Sequence, residues 1–145
     1  MKRILVSACL LGAACRYDGK GNGNEAVTAL LQRDDICLIP VCPEQLGGMP
    51  TPRIPSERRF DRVVNRAGED VTGHFLRGAR EALRLAKLYG CECAVLKERS
   101  PSCGCGRIYD GSFTGTLTDG DGVTAELLRE NGITVVGESD IQKIR

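Results

Sequence analysis

The sequence predicts one α/β domain over residues 1–145, a mainly parallel open sheet flanked by helices, Rossmann-like or flavodoxin-like, with a long Pro-rich loop. Three observations predict it. Apolar runs at 3–9, 36–41, 91–96 and 133–136 are short and continuous rather than alternating, as in strands covered on both faces. Helical patterns lie between them, and strand–helix alternation gives a parallel sheet with right-handed crossovers. A chain of 145 residues with 41% apolar content can bury one ordinary core. With three Tyr, three Phe and no Trp, aliphatic side chains must fill that core.

The first strand, 3–9, runs into Leu10-Leu-Gly12, and Arg16-Tyr-Asp-Gly19 and Gly21-Asn-Gly23 punctuate a loop. Residues 25–31 read as a short helix with Asn24 as its N-cap. The second buried strand is 36–41. After it, five of the six prolines (40, 43, 50, 52, 55) fall within sixteen residues, a composition that excludes a helix or a central strand and predicts a long functional loop. Asn65-Arg-Ala-Gly68 between 61–64 and 69–71 resembles a hairpin turn. Thr72 can cap a helix to Tyr89, whose apolar set Phe75, Ala79, Ala82, Leu83, Ala86 lies on one face. Gly90 stops it. Residues 91–96 are the third strand, 108–115 is turn-rich, 123–130 is a helix closed by Asn131-Gly132, and 133–136 is the fourth strand.

Twenty basic and nineteen acidic residues give a net charge of +1, which predicts neither a broad nucleic-acid surface nor an acidic tail. No apolar run approaches the roughly 18 residues of a membrane span. Met1-Lys-Arg3 precedes an apolar run, but that run is broken by Cys15-Arg-Tyr-Asp18 and reads as a strand, so a cytoplasmic protein is expected. Eight cysteines in a reducing compartment point to metal ligands, catalytic thiols or small core residues, with an extracellular disulfide framework as the competing view.

Three of the apolar runs deliver a cysteine near their carboxyl ends: Cys9, Cys42 and, beyond Ser100-Pro-Ser102, Cys103. Ligands of open parallel sheets bind beyond that edge, so one shared site is expected there. Three thiolates can hold zinc or iron–sulfur iron, or one thiol can act as a nucleophile. The spacings match neither a zinc ribbon nor a ferredoxin run, and no C-x-x-C is present. Cys37, Cys91 and Cys93 read as small core residues, and Cys15 as packing beside the site. Cys105 stands two residues from Cys103 as an alternative or extra ligand.

Glu44, two residues past Cys42, is either a solvated loop carboxylate or a general base. Ser100 and Ser102 are either turn caps or site hydroxyls, and the amides of 102–106 could cradle an anion. Arg53, in Pro52-Arg-Ile-Pro55, could face a phosphate or carboxylate, although the arginines between 53 and 66 also suit a solvated face. His74 reads as a helix-surface residue.

Taken together, the motifs resemble a known family. They are Ser7-Ala-Cys-Leu-Leu-Gly12, Cys15-Arg-Tyr-Asp-Gly19, Pro40-Val-Cys-Pro-Glu44, Gly47-Gly48, Pro52-Arg-Ile-Pro55, Asp70-Val-Thr72, Leu96-Lys97, Ser100-Pro-Ser-Cys-Gly104, Ile108-Tyr-Asp-Gly111 and Gly120-x-Gly-Val-Thr124. Essentially the whole chain is similar to the bacterial domain-of-unknown-function 523 family, whose characterised members are thiouracil desulfidases. The resemblance implies a [4Fe-4S] cluster on Cys9, Cys42 and Cys103, with the fourth iron open to a thiocarbonyl sulfur. It implies Glu44 and Ser100 as acid/base residues and a non-redox, hydrolytic C–S cleavage. The expected substrate is a thionated pyrimidine or its nucleotide, with Arg53 and Ser102 as substrate-binding candidates. The alternatives are a non-enzymatic zinc- or cluster-binding structural or redox-sensing protein, and an enzyme acting on thiolated RNA. The sequence leaves the oligomeric state open.

Overall fold

Residues 1–144 are described in the computed structural model. In chain order the elements are β1 (Lys2–Ser7), α1 (Glu25–Ala29), β2 (Ile36–Val41), α2 (Pro43–Leu46), β3 (Ser56–Arg59), β4 (Arg62–Asn65), α3 (Thr72–Leu88), β5 (Cys93–Leu96), β6 (Arg107–Tyr109), β7 (Leu117–Asp119), α4 (Val123–Glu130) and β8 (Thr134–Gly137). Turns of 3-10 helix at Ala8–Leu11, Leu30–Gln32 and Glu138–Lys143 link them.

Four strands form one sheet in the order β2-β1-β5-β8, with every pairing parallel. The chain moves outward from β1 to β2 and then crosses back to β5 on the other side of β1. The gap beyond the carboxyl ends of β1 and β5 is therefore a topological switch point, where open sheets bind ligands.

The sheet is covered on both faces, and β1 shows why its sequence does not alternate. Ile4 and Val6 pack with Val27, Val95 and Val136 on one side, while Leu5 packs with Ala82, Ala94, Ala125 and Leu128 on the other. Side chains on a strand point to opposite faces, so a doubly covered strand is apolar throughout. Small residues at Ala79, Ala82 and Ala86 let α3 lie close to its neighbours; all three are fully buried. Asn24 caps α1 as expected, its side chain accepting from the Val27 amide at 3.1 Å.

The structure departs from the sequence reading in several places. The Pro-rich stretch contains α2, because Pro43 occupies the first helical turn, where no amide donor is needed. Pro40 lies within β2, which is tolerated because β2 is an edge strand. β2 is only partly buried, unlike the other edge strand β8, and Cys37 is exposed rather than a core residue. Cys91 and Cys93 are buried, as expected. The hairpin is formed by β3 and β4 around Phe60 and Asp61; residues 65–70 add a single bridge, Val64 to Asp70. The Thr72 hydroxyl accepts from the Val63 amide at 2.8 Å instead of capping α3, and Asp70 accepts from the Thr72 amide. The turn-rich 108–115 segment lies within a second hairpin, β6 with β7. Among the described residues no helix is long and apolar enough to cross a membrane.

Candidate active site

Short turns after three strands build the site. Beyond β1 the chain enters the turn Ala8–Leu11, which carries Cys9. Beyond β2 it enters α2, with Cys42 at the N-cap and Glu44 in the first turn. Beyond β5 a tight turn is held by Ser100, whose hydroxyl oxygen accepts from the amides of Ser102 (3.1 Å) and Cys103 (3.0 Å). Cys9, Cys42, Cys103, Glu44, Ser100 and Arg53 all line one cavity of about 470 Å³. That volume lies within the roughly 300–1,000 Å³ usual for small-molecule sites.

The position of α2 depends on glycine. Gly47 and Gly78 bring the backbones of α2 and α3 into direct contact; a Cβ on Gly78 would strike the Pro43 carbonyl, and one on Gly47 the His74 carbonyl. His74 is exposed on α3 and also ties it to α2, its Nδ1 lying 2.8 Å from the Gly47 carbonyl oxygen.

Cys9 and Cys103 are buried, Cys42 is half-buried, and the three thiols are near enough to influence one another's charge. Burial, then the neighbouring Cys42, pushes Cys9 up to about 11. Burial also raises Cys103, with Glu44, Cys9 and Cys42 adding to the rise and a hydrogen bond from Ser7 opposing it. Ser7 lines the cavity, and its oxygen accepts from the Lys97 amide at 2.9 Å, leaving its proton to point elsewhere. Lys97 lines the cavity, and its ammonium donates to Glu138 at 2.9 Å and to the Glu98 carbonyl at 3.3 Å.

Glu44 is raised by burial, while the charge and hydrogen bond of Arg53 pull it back. Arg53 donates through Nε to Glu44 at 3.4 Å, through Nη1 to the Pro50 carbonyl and Thr51 hydroxyl, and through Nη2 to the Cys15 carbonyl at 2.9 Å. Its side chain is 3% exposed. Arg53 thus braces the carboxylate and the Cys15 loop and has little donor capacity left for a substrate phosphate.

Ser102 does not line the cavity. It is 1% exposed, and its hydroxyl lies 2.8 Å from that of Thr124 on α4. The expectation that it touches substrate fails because the turn points it into the α4 contact. Cys105 also points away: its thiol donates to the Val135 carbonyl at 3.4 Å, accepts from Arg129 and packs with the core on the α3–α4 side. Cys15 comes closer than a packing role requires. It lines the cavity, the Cys42 thiol donates to its carbonyl at 3.7 Å, and burial with Cys42 and Cys9 pushes its own thiol up to about 12.

Sequence reasoning singled out no role for Ser7 or Lys97, although each stands at a strand's carboxyl end, where the same logic that found the cysteines applies. Arg66, Arg99 and Phe113 also line the cavity. They come from hairpins and turns whose folding onto the sheet leaves no periodic signal.

Comparison with known proteins agrees with this geometry. The model of the 2-thiouracil desulfurase family matches residues 4–140. The chain is 40% identical to the uncharacterized protein YbbK of Bacillus subtilis (strain 168), over 97% of this chain and 99% of that one. It superposes on the solved [4Fe-4S]-dependent thiouracil desulfidase TudS (DUF523Vcz) with a TM-score of 0.93 at 46% identity, covering 99% of this chain and 95% of that one. The chain belongs to the 2-thiouracil desulfurase family.

Proposed function

We propose that this protein is an enzyme that removes sulfur from thiouracil or a thionated uridine nucleotide by hydrolysis, and that Cys9, Cys42 and Cys103 hold its [4Fe-4S] cluster. One observation carries the reading: three thiols from the ends of three parallel strands share a cavity with the half-buried carboxylate of Glu44.

The donor set suits such a group. Two buried thiols, Cys9 and Cys103, and the half-buried Cys42 repel one another when ionised and so favour a cationic core, and soft sulfur donors suit iron–sulfur chemistry. Cys105, turned toward Val135, leaves the three-cysteine arrangement without a fourth protein ligand from that loop. When bound, a cluster on three thiolates supplies an iron that can act as a Lewis acid on the thiocarbonyl sulfur and accept it as sulfide.

The protein's own groups handle water and protons. Glu44, raised by burial and oriented by Arg53, takes a proton from the water that attacks the ring carbon. Ser100 accepts two backbone amides, so its remaining polar capacity is its own proton, which it can give to the ring nitrogen or the thiocarbonyl. In sum, thiocarbonyl and water become carbonyl and hydrogen sulfide, with no net redox change.

A nucleotide's phosphate would find arginine partners at the cavity. Arg66 and Arg99 line it and, among the described residues, are in no salt bridge, which makes them better phosphate candidates than the braced Arg53. Eight free thiols suit a reducing, cytoplasmic location.

The test is anaerobic reconstitution with iron and sulfide, followed by a sulfide-release assay on free thiouracil, its nucleotide and thiolated RNA in competition. Brown protein that desulfurates the base or nucleotide and loses its colour in Cys9→Ala supports the proposal. A colourless, iron-free protein with full turnover overturns it.

A further inference from the structure

We infer that Phe113 is the surface on which the substrate's pyrimidine ring stacks, making it a specificity-determining residue of the cavity. The inference rests on the desulfidase reading and adds to it how the base is held.

Phe113 lies in the loop between β6 and β7 and lines the same cavity as the three cysteines and Glu44. Its ring is half-buried and belongs to none of the three apolar clusters, so filling a core does not explain it. Its backbone is left-handed, with φ of 58°, between Gly111 at 95° and Gly115 at 76°. Glycine adopts such a conformation without strain, whereas a side chain with a Cβ does not. An aromatic residue persists there only if its surroundings impose it, and strain of this kind concentrates at functional sites.

The surroundings do impose it. One Glu57 carboxylate oxygen accepts from the amides of both Gly111 (3.0 Å) and Phe113 (3.1 Å). Arg59 donates to the Gly111 carbonyl at 2.7 Å, and Asp110 accepts from the Ser112 amide at 2.9 Å. Two residues of β3, Glu57 and Arg59, therefore clamp this loop beside the cavity. The Arg66 guanidinium carbon lies 5.7 Å from the centre of the Phe113 ring, a cation–π contact that occupies one face. The proposed stacking uses the opposite face, on which a planar partner would lie. A pyrimidine is such a partner, and stacking on an aromatic ring favours it over non-planar ligands of equal size.

The test uses reconstituted protein and two readouts. Uracil, the product, is titrated calorimetrically into wild type, Phe113→Ala and Phe113→Tyr, and thiouracil kinetics are measured on the same samples, with cluster absorbance as the control for assembly. Phe113→Ala should weaken uracil binding about tenfold and raise KM with kcat little changed. Phe113→Tyr should keep both near wild type, whereas Phe113→Leu, titrated alongside, should lose both; a purely structural role for the loop would treat Tyr and Leu alike. Uracil binding in Phe113→Ala equal to wild type overturns the stacking role while leaving the desulfidase reading in place. Cluster-bearing wild type that neither binds uracil nor consumes thiouracil overturns both.

Discussion

Replacing Ser102 by Ala tests whether this hydroxyl is structural or belongs to the site. Ser102 and Thr124 are 1% and 0% exposed, and their hydroxyl oxygens lie 2.8 Å apart. The variant leaves the Thr124 hydroxyl buried without that partner, which costs about 2 kcal/mol. For a chain of this size the midpoint of thermal unfolding should fall by roughly 6 °C. Thr124→Val should cost a similar amount. The double variant should cost less than the sum, because removing both polar groups leaves nothing unsatisfied. The assay is thermal unfolding followed by circular dichroism on the single and double variants, with desulfuration measured well below the transition. Turnover per folded molecule should be unchanged in Ser102→Ala. In Ser100→Ala it should fall sharply, since that hydroxyl both lines the cavity and secures the Cys103 turn. A Ser102→Ala protein of unaltered stability and impaired turnover would refute the assignment and restore Ser102 as a substrate group.

Three other outcomes follow from the same geometry. Cys103→Ala should abolish the visible absorbance of reconstituted protein, whereas Cys105→Ala should keep it, because only the first thiol lines the cavity. Arg53→Met removes the group that pulls Glu44 down, so the acid limb of kcat/KM should move to higher pH than in wild type. A carboxyl raised in the native state keeps a proton that the unfolded chain has lost. Its contribution to stability is therefore complete below the ordinary value of 4.5 and disappears as pH rises through the raised one; unfolding midpoints across pH should show a wider fall in Arg53→Met. Gly78→Ala drives a methyl into the Pro43 carbonyl and should destabilise by about 1–3 kcal/mol despite the better helix propensity of Ala, with cluster retention weakened because α2 carries Cys42.

The sheet was legible because its signal is repeated. β1, β5 and β8 are covered on both faces, so each shows as an unbroken apolar run, and their alternation with helices implies parallel pairing. β2 shows the limit of that reasoning. Its run looks as apolar as the others, yet its faces are only partly covered, unlike those of the other edge strand β8, and Cys37 is exposed there. The two hairpins were harder to place. β3 is Ser-Glu-Arg-Arg and β6 is Arg-Ile-Tyr, three or four residues with no clear period, held by partners far away in sequence. Arg58 reaches the Asp121 carbonyl and Arg59 the Gly111 carbonyl, contacts that no local pattern announces.

The same distinction runs through the site. Cys9, Cys42 and Cys103 were accessible to sequence reasoning because strand order alone brings strand ends to one edge. Strand order says nothing about which way a residue faces once the chain has left the strand. Between Ser100 and Cys105 the chain makes a tight turn, closed by the Gly104 amide on the Ser100 carbonyl at 2.8 Å. Ser100 and Cys103, three residues apart, line the cavity; Ser102 and Cys105, also three apart, face α4 and β8. A period near three is what a turn imposes, whereas continued extended chain would have placed residues 100 and 102 on one face and 103 and 105 on the other. The two serines and two cysteines therefore separate by turn geometry, not by chemistry. Gly122 stabilises that separation: a Cβ there would strike the Ser102 backbone, so the start of α4 can lie directly against the turn that aims Cys103.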